Sequence, residues 1–344
     1  MSSENSTNVN ASNIQGSINP DIVTFFLTLN ITICGNVIGL LGILGNIVSL
    51  INFAKYGMQD SVSVTLSALV ISDSGALFAQ LFINVLISPF WKSVDHPFFS
   101  LSILSSTLFY PREYFIRVSG TITVFATLER CLCVIIPMRV KRIITRNVAI
   151  VVNVCIFIAI LSYLLPPLAV TYYEWRVDPR KNRSLIFLVY RDNAESVFKV
   201  SYMVLDLFLP YCTFFVLIVC NTVIVLTLKS KSKWRQSTTG HGVNQLSGKP
   251  EISTKEKKLV IMLVTVSTIF IGCLSPQSAM LTALGIVREL KINGPYFDLS
   301  LLVYSFTFLL ETINCSVSVL VYYNMSSKFR DRIHSWLPCC KFKT

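Results

Sequence analysis

Charge is scarce in this sequence: Asp, Glu, Lys and Arg make up only 14% of its 344 residues, where soluble domains carry about 25%. That deficit points away from a water-solvated surface and towards a bilayer. Histidine is scarcer still. His96, His241 and His334 all fall outside the apolar runs, which argues against an intramembrane histidine site for a metal or for catalysis. The ten cysteines form no CxxC pair, against a zinc site. None of them lies in a segment assigned below to the outside, so no extracellular disulfide is expected. Neither GxSxG, HExxH nor a paired-aspartate motif occurs, so no enzyme is expected. Residues 1–21 are polar and Asn-rich and hold no apolar stretch of their own. The first long apolar run is therefore expected to act as its own uncleaved signal-anchor.

What the chain has in quantity is apolar length, with 53% of its residues hydrophobic. A helix needs about 20 apolar residues to cross the hydrocarbon core. Such runs are found at Ile22–Phe53, Val62–Ser88, Leu101–Ile136, Val148–Tyr173, Val200–Leu228, Leu259–Val287 and Leu299–Tyr323. Lipid offers no partner to a backbone N–H or C=O, which forces each run to be helical; the ten-residue alternation of a β-barrel is absent. The expected fold is an all-α membrane protein, a seven-transmembrane helix bundle with a short amphipathic eighth helix. Residues 1–21 form an extracellular tail and 22–323 the seven-span domain, whose third inside loop covers about 229–258. Residues 324–344 form the amphipathic helix and cytoplasmic tail.

Charge placement sets the orientation. The net charge is +12, from 30 basic and 18 acidic residues, and the first basic residue in the chain is Lys55. An outside N-terminus puts Lys55, the Arg139–Arg146 cluster, the basic third inside loop and the tail all on one side, as the positive-inside rule requires. The excess charge is then topological, and nucleic acid is not an expected partner. Sequons at Asn5, Asn10 and Asn182 fall in the outside segments, where N-glycosylation is expected. After the last span, Phe329, Ile333, Trp336 and Leu337 recur at helical spacing among basic residues, the pattern of a helix lying on the inner leaflet. Cys339 and Cys340 come next in the chain as palmitoylation candidates, while Lys341 at the fourth position from the end rules out prenylation.

Charges within spans are costly, at roughly 2.5–3.5 kcal/mol each on insertion scales, and tend to be functional. The chain places Asp73 in span two, then Arg112, Glu113, Arg117, Glu129 and Arg130 in span three, Asp206 in span five and Glu311 in span seven. Span three is the least apolar of the set, so it is expected to be the central helix wrapped by protein. The i,i+4 spacing of Glu113 and Arg117 also permits simple mutual neutralisation.

These residues resemble the rhodopsin-like (class A) G-protein-coupled receptors, over about residues 35–337. Gly45-Asn46-Ile47-Val48 is similar to the GNxxV pattern of span one, and Leu69 with Asp73 to LxxxD of span two. Glu129-Arg130-Cys131, with Pro137 beyond it, resembles the E/DRY box. Pro210 stands where span five carries its proline, and Phe270-Ile271-Gly272-Cys273-Leu274-Ser275-Pro276 resembles FxxCWxP. Asn314, Tyr322 and Phe329-Arg330 resemble the end of span seven and the start of the eighth helix. The departures are Ser105 at the family's span-three cysteine, a missing partner cysteine in the second outside loop, Leu274 for the span-six Trp, and no NPxxY asparagine or proline. Within the family, the Glu129–Cys133 and Tyr322–Arg330 segments look most like invertebrate (gastropod) chemosensory receptors and FMRFamide-type peptide receptors.

The resemblance implies a two-state switch at the plasma membrane. Arg130 would pair with Glu129 and with Glu256 at the base of span six, Tyr322 belonging to the same switch. Span six would swing about Pro276, with Pro210 a second hinge, and a heterotrimeric G protein, and after it arrestin, would enter the opened cleft. Asp73, Ser119, Asn46 and Asn314 resemble the family's central polar site, read either as a Na+ site or as a water-filled network. The ligand pocket is expected among Arg112, Glu113, Arg117, Asp206, Gln277 and Glu311. Arg112 stands where aminergic receptors of the family carry their amine-binding Asp, which disfavours a simple amine, although Asp206 and Glu311 could take a cation. Two readings stand for the arginines: they take an anionic group of a small odorant or peptide, or Arg112 pairs with Glu311 and Arg117 with Glu113 or Asp206. No lysine lies between Lys291 and Lys328, so a retinal Schiff base in span seven is excluded. A channel or transporter, or a scaffold that does not couple, are the rival functions. The first would show internal repeats, and none is found.

Overall fold

The computed structural model describes residues 18–55, 58–87, 101–178, 182–239, 254–290, 294–325 and 327–336. Seven helices in it are long and apolar enough to cross a membrane: Pro20–Lys55, Ser61–Leu86, Thr107–Ile135, Arg146–Ala169, Ala194–Ser230, Lys258–Ile286 and Phe297–Asn324. They are called spans one to seven below. A terminal helix lies beyond them at Ser327–Trp336. The ends are set by local chemistry. Asn19 caps span one by accepting from the Asp21 N–H, with Pro20 at the first helical position; Thr145 does the same for the Val148 N–H of span four. Pro137 opens a short helix, Pro137–Ile143, in the second inside loop.

Span four ends sooner than its apolar run. The helix stops at Ala169 after Pro166 and Pro167, whose rings supply no amide hydrogen to the last turn. The β-branched and aromatic run from Thr171 then turns extended. It forms strand β1 (Thr171–Asp178), paired antiparallel with β2 (Arg183–Tyr190) from Thr171↔Tyr190 to Asp178↔Arg183. The expected end of span four at Tyr173 is thus corrected to Ala169, and between spans four and five each strand's backbone groups find partners in the other. Asn182 sits in the turn between them, exposed, with φ 49°, a left-handed conformation that asparagine tolerates.

Spans two and three are the most enclosed, with 61% of their apolar windows buried against 22% for span four. The expectation that span three is central holds, but span two shares the position. Its small residues explain why: Gly75 leaves room for the Phe115 ring of span three, which would stand 2.7 Å from any Cβ there. The contact of span one with span seven is closer still, since a Cβ on Gly42 would meet Ser316 Oγ at 2.2 Å. Spans one and five each contain one wide π turn, Thr28–Cys34 and Tyr202–Phe208. The second runs directly into Pro210, which cannot donate to the preceding turn. Pro276 lies within span six. On the inner side, Tyr322 packs edge-on against Phe53 and Phe329 at ring separations of 6.1 and 5.9 Å, which fastens the terminal helix to spans one and seven.

Candidate functional site

In the half of the bundle nearer the start of span one, labelled outer by the expected orientation, five charged side chains join in one alternating line. Glu311 accepts from Arg112 Nη2 at 2.5 Å, Arg112 Nη1 donates to Glu113 Oε1 at 2.6 Å, and Arg117 Nη2 donates to Glu113 Oε2 at 3.2 Å and to Asp206 Oδ1 at 2.8 Å. The line runs span seven, span three, span five. It buries Arg112 and Glu311 to 1% exposure, while Glu113 and Asp206 keep 28%. The Arg112 guanidinium also lies over the Phe308 ring, 3.9 Å from its centroid, a geometry that favours a cation on the ring face. At this depth charges survive only when paired and hydrogen-bonded. The arginines are therefore held by the chain's own carboxylates.

A run of amides extends the line into spans two and one. Gln80 Oε1 accepts from Arg112 Nε, Gln80 Nε2 donates to Asn84 Oδ1 at 2.6 Å, and Asn84 Nδ2 donates to Asn36 Oδ1 at 3.1 Å. Gln80 and Asn84 are missing from the sequence reading. Their signal was available, because Asp73, Gln80 and Asn84 recur at i, i+7 and i+11 and so share one face of span two. Gln277, expected in the pocket, is instead bound to span seven, accepting from the Thr307 hydroxyl. Above this layer the hairpin is tied to span three by a 2.7 Å hydrogen bond between the Tyr173 and Thr107 hydroxyls.

Centre. Asp73 is buried and accepts from Ser119 Oγ at 2.7 Å and Ser318 Oγ at 3.3 Å. Asn46 is equally buried but bonds the Cys315 carbonyl of span seven at 3.2 Å. The expected quartet is therefore split. Ser119 and Ser318 bind the carboxylate, Asn46 joins spans one and seven beside it, and Asn314 lies buried next to Cys315. The described residues contain no group of three or more His, Cys, Asp and Glu able to hold a metal ion.

Inner end. Arg130 Nη2 donates to the adjacent Glu129 Oε1 at 2.7 Å, and the Ser61 hydroxyl at the start of span two donates to the same oxygen. Among the described residues, the buried Arg130 Nε and the Tyr322 hydroxyl have no hydrogen-bond partner. Ser61, like Gln80 and Asn84, was not singled out by its sequence context. Glu256 falls within the helix Thr254–Ile286, but its side chain lies outside the described residues, as do Asn5, Asn10, Cys339 and Cys340.

Known proteins resemble the chain over most of its length. A family model described as "7 transmembrane receptor (rhodopsin family)" matches residues 45–322. The chain is 22% identical to the human lysophosphatidic acid receptor 4 over 306 residues, which covers 86% of the chain and 74% of that receptor. It is 24% identical to the FMRFamide receptor of Drosophila melanogaster over 326 residues, 87% of the chain, and spans about half (52%) of that protein.

Proposed function

The chain belongs to the rhodopsin family of seven-transmembrane receptors, a family of receptors and not enzymes, and from that premise we propose that an extracellular ligand bound at the outer charged line opens the cytoplasmic end for a heterotrimeric G protein. The reading sets the receptor at the plasma membrane with its N-terminus outside, Asn182 on the glycan-accepting side, and the terminal helix on inner-leaflet lipid. Arrestin would enter the same cleft after the G protein, and Na+ or water would occupy the surroundings of Asp73. The relatives' names supply two ligand chemistries, a lysophospholipid and an amidated peptide; a small odorant is a third.

The supporting observation is the state of Arg130. Its one described salt-bridge partner is the residue beside it in the same helix, with a buried Nε left over. Among the described residues this arginine pairs with no carboxylate of another span, which would let it exchange Glu129 for a new acceptor once span six moves. A pairing with Glu256 would add to the closed state. An agonist shifts this balance only by the difference in its affinity for the two states.

The test is nucleotide exchange on a reconstituted Gα. Arg130→Ala at equal surface expression should abolish exchange, and Glu256→Ala should raise its basal rate. Exchange that is indifferent to Arg130 would leave a scaffold that does not couple; single-channel current from the purified protein would favour a channel.

A further inference from the structure

Two buried thiols meet in the inner half of the bundle. Cys131 of span three and Cys220 of span five are 7% and 5% exposed, and neither is in a disulfide. The two thiols hydrogen-bond to one another. They lie in an apolar cluster with Val134, Ile224 and, from span six, Val260. Cys131 directly follows Arg130 in the chain. Asn221, directly after Cys220, accepts from the Ser267 hydroxyl of span six at 2.9 Å. These two contacts in series connect span three to span five and span five to span six.

A thiol contact yields when the helices part, whereas a disulfide does not. The sulfurs of a disulfide stand about 2.05 Å apart, so only side chains that already touch can form one without a shift of the backbone. Cys131 and Cys220 meet that condition. Thiols buried in apolar surroundings are inert, which protects the pair while the bundle is closed. Val260 is the part of that cover that would leave with span six.

Resting on the proposed outward swing of span six, we propose that Cys131 and Cys220 form an oxidative latch: a disulfide, made by a hydroperoxide, that fastens the cytoplasmic end shut after it has opened. Opening admits the peroxide. The Cys131 sulfur takes one oxygen from hydrogen peroxide as the O–O bond breaks, which gives a sulfenic acid and one water. Closing brings Cys220 back against it. The Cys220 sulfur then displaces the sulfenic hydroxyl, which leaves with the thiol proton as a second water. The two thiols have lost two electrons to one peroxide. The bond ties span three, one residue from Arg130, to span five, and Asn221 with Ser267 extends the tie to span six. Glutathione on the cytoplasmic side would reverse it by thiol–disulfide exchange.

The test uses purified receptor in lipid nanodiscs with Gα, treated with millimolar hydrogen peroxide and then alkylated in denaturant. Mass spectrometry of the digest should show the Cys131 and Cys220 peptides joined, with both thiols lost to the alkylating reagent. Basal nucleotide exchange should fall about 5-fold or more, within the range of ordinary coupling energies, and should return with dithiothreitol. Cys220→Ala should keep its exchange under peroxide; if that variant does not fold, Cys131→Ala serves the same purpose. Val260→Ala thins the cover and should speed the joining even without Gα. Peroxide that leaves the two cysteines unjoined, or joins either to another cysteine, overturns the latch. So does a joined pair with unaltered exchange, or an unaltered rate of joining in Val260→Ala. Arg130→Ala in reducing buffer separates the two readings. Exchange indifferent to Arg130 fails the coupling reading, while an unjoined pair in a receptor whose exchange depends on Arg130 fails the latch alone.

Discussion

Span three carries arginine–carboxylate contacts at both ends, and they are built in opposite ways. At the outer end Arg112 and Arg117 reach across to spans seven and five. At the inner end Arg130 reaches, among the described residues, its own neighbour Glu129, which also accepts from the Ser61 hydroxyl of span two. A pair that bridges helices ties them together, and removing one member leaves an uncompensated charge between them. A pair within one helix ties no second span by charge, here leaving one hydroxyl contact to span two, and is cheaper to exchange. The same chemistry thus makes a clasp at one end and a release at the other, and the difference lies in where the partner comes from.

Three substitutions probe that contrast. The largest effect belongs to Glu311→Ala, which leaves Arg112, at 1% exposure, with Glu113 as its remaining described carboxylate. Breaking a buried pair costs about 3–5 kcal/mol, so surface expression and the melting temperature in nanodiscs should both fall sharply. Near-normal stability would show that the outer line is no clasp. Next is Glu129→Gln at the inner end. It weakens an ion pair within one helix and leaves an amide oxygen that can still accept from Ser61 of span two, so melting should change little while basal nucleotide exchange rises about 5-fold or more, the low end of ordinary coupling energies. If that variant instead melted like Glu311→Ala, the two ends would be alike. The smallest effect is expected for Tyr173→Phe, which deletes one hydroxyl partner of Thr107 for about 0.5–1.5 kcal/mol. Hydrogen exchange in 171–190 should speed up with no change in basal exchange, and an unaltered exchange pattern would mean the hairpin is held elsewhere.

Much of this was visible in the residues themselves. Each charge within a span announced itself because lipid makes it expensive, and all of Arg112, Glu113, Arg117, Asp206 and Glu311 proved to belong to one assembly. The local pair Glu113–Arg117 could be read from its spacing. The pairs Arg112–Glu311 and Arg117–Asp206 stood as one of two readings, since these partners lie far along the chain and only packing decides which helix face meets which. Gln80 and Asn84 were overlooked because an uncharged amide scarcely disturbs an apolar run, although a buried guanidinium needs such acceptors as much as it needs carboxylates. The β hairpin was hidden for the reverse reason. Its first residues are apolar enough to be read as the end of span four, and hydropathy alone does not distinguish a helix from a strand.

The wide turn at Tyr202–Phe208 has a geometric consequence. In an α-helix one residue more or fewer rotates everything beyond it by about 100°, and a π turn absorbs one such surplus residue. Asp206 sits inside that turn, so its azimuth towards Arg117 is set independently of the face that span five shows below Pro210. Deleting a single residue there would restore regular winding to the helix and swing the acidic terminus of the line out of register, while the cytoplasmic half of the span kept its orientation.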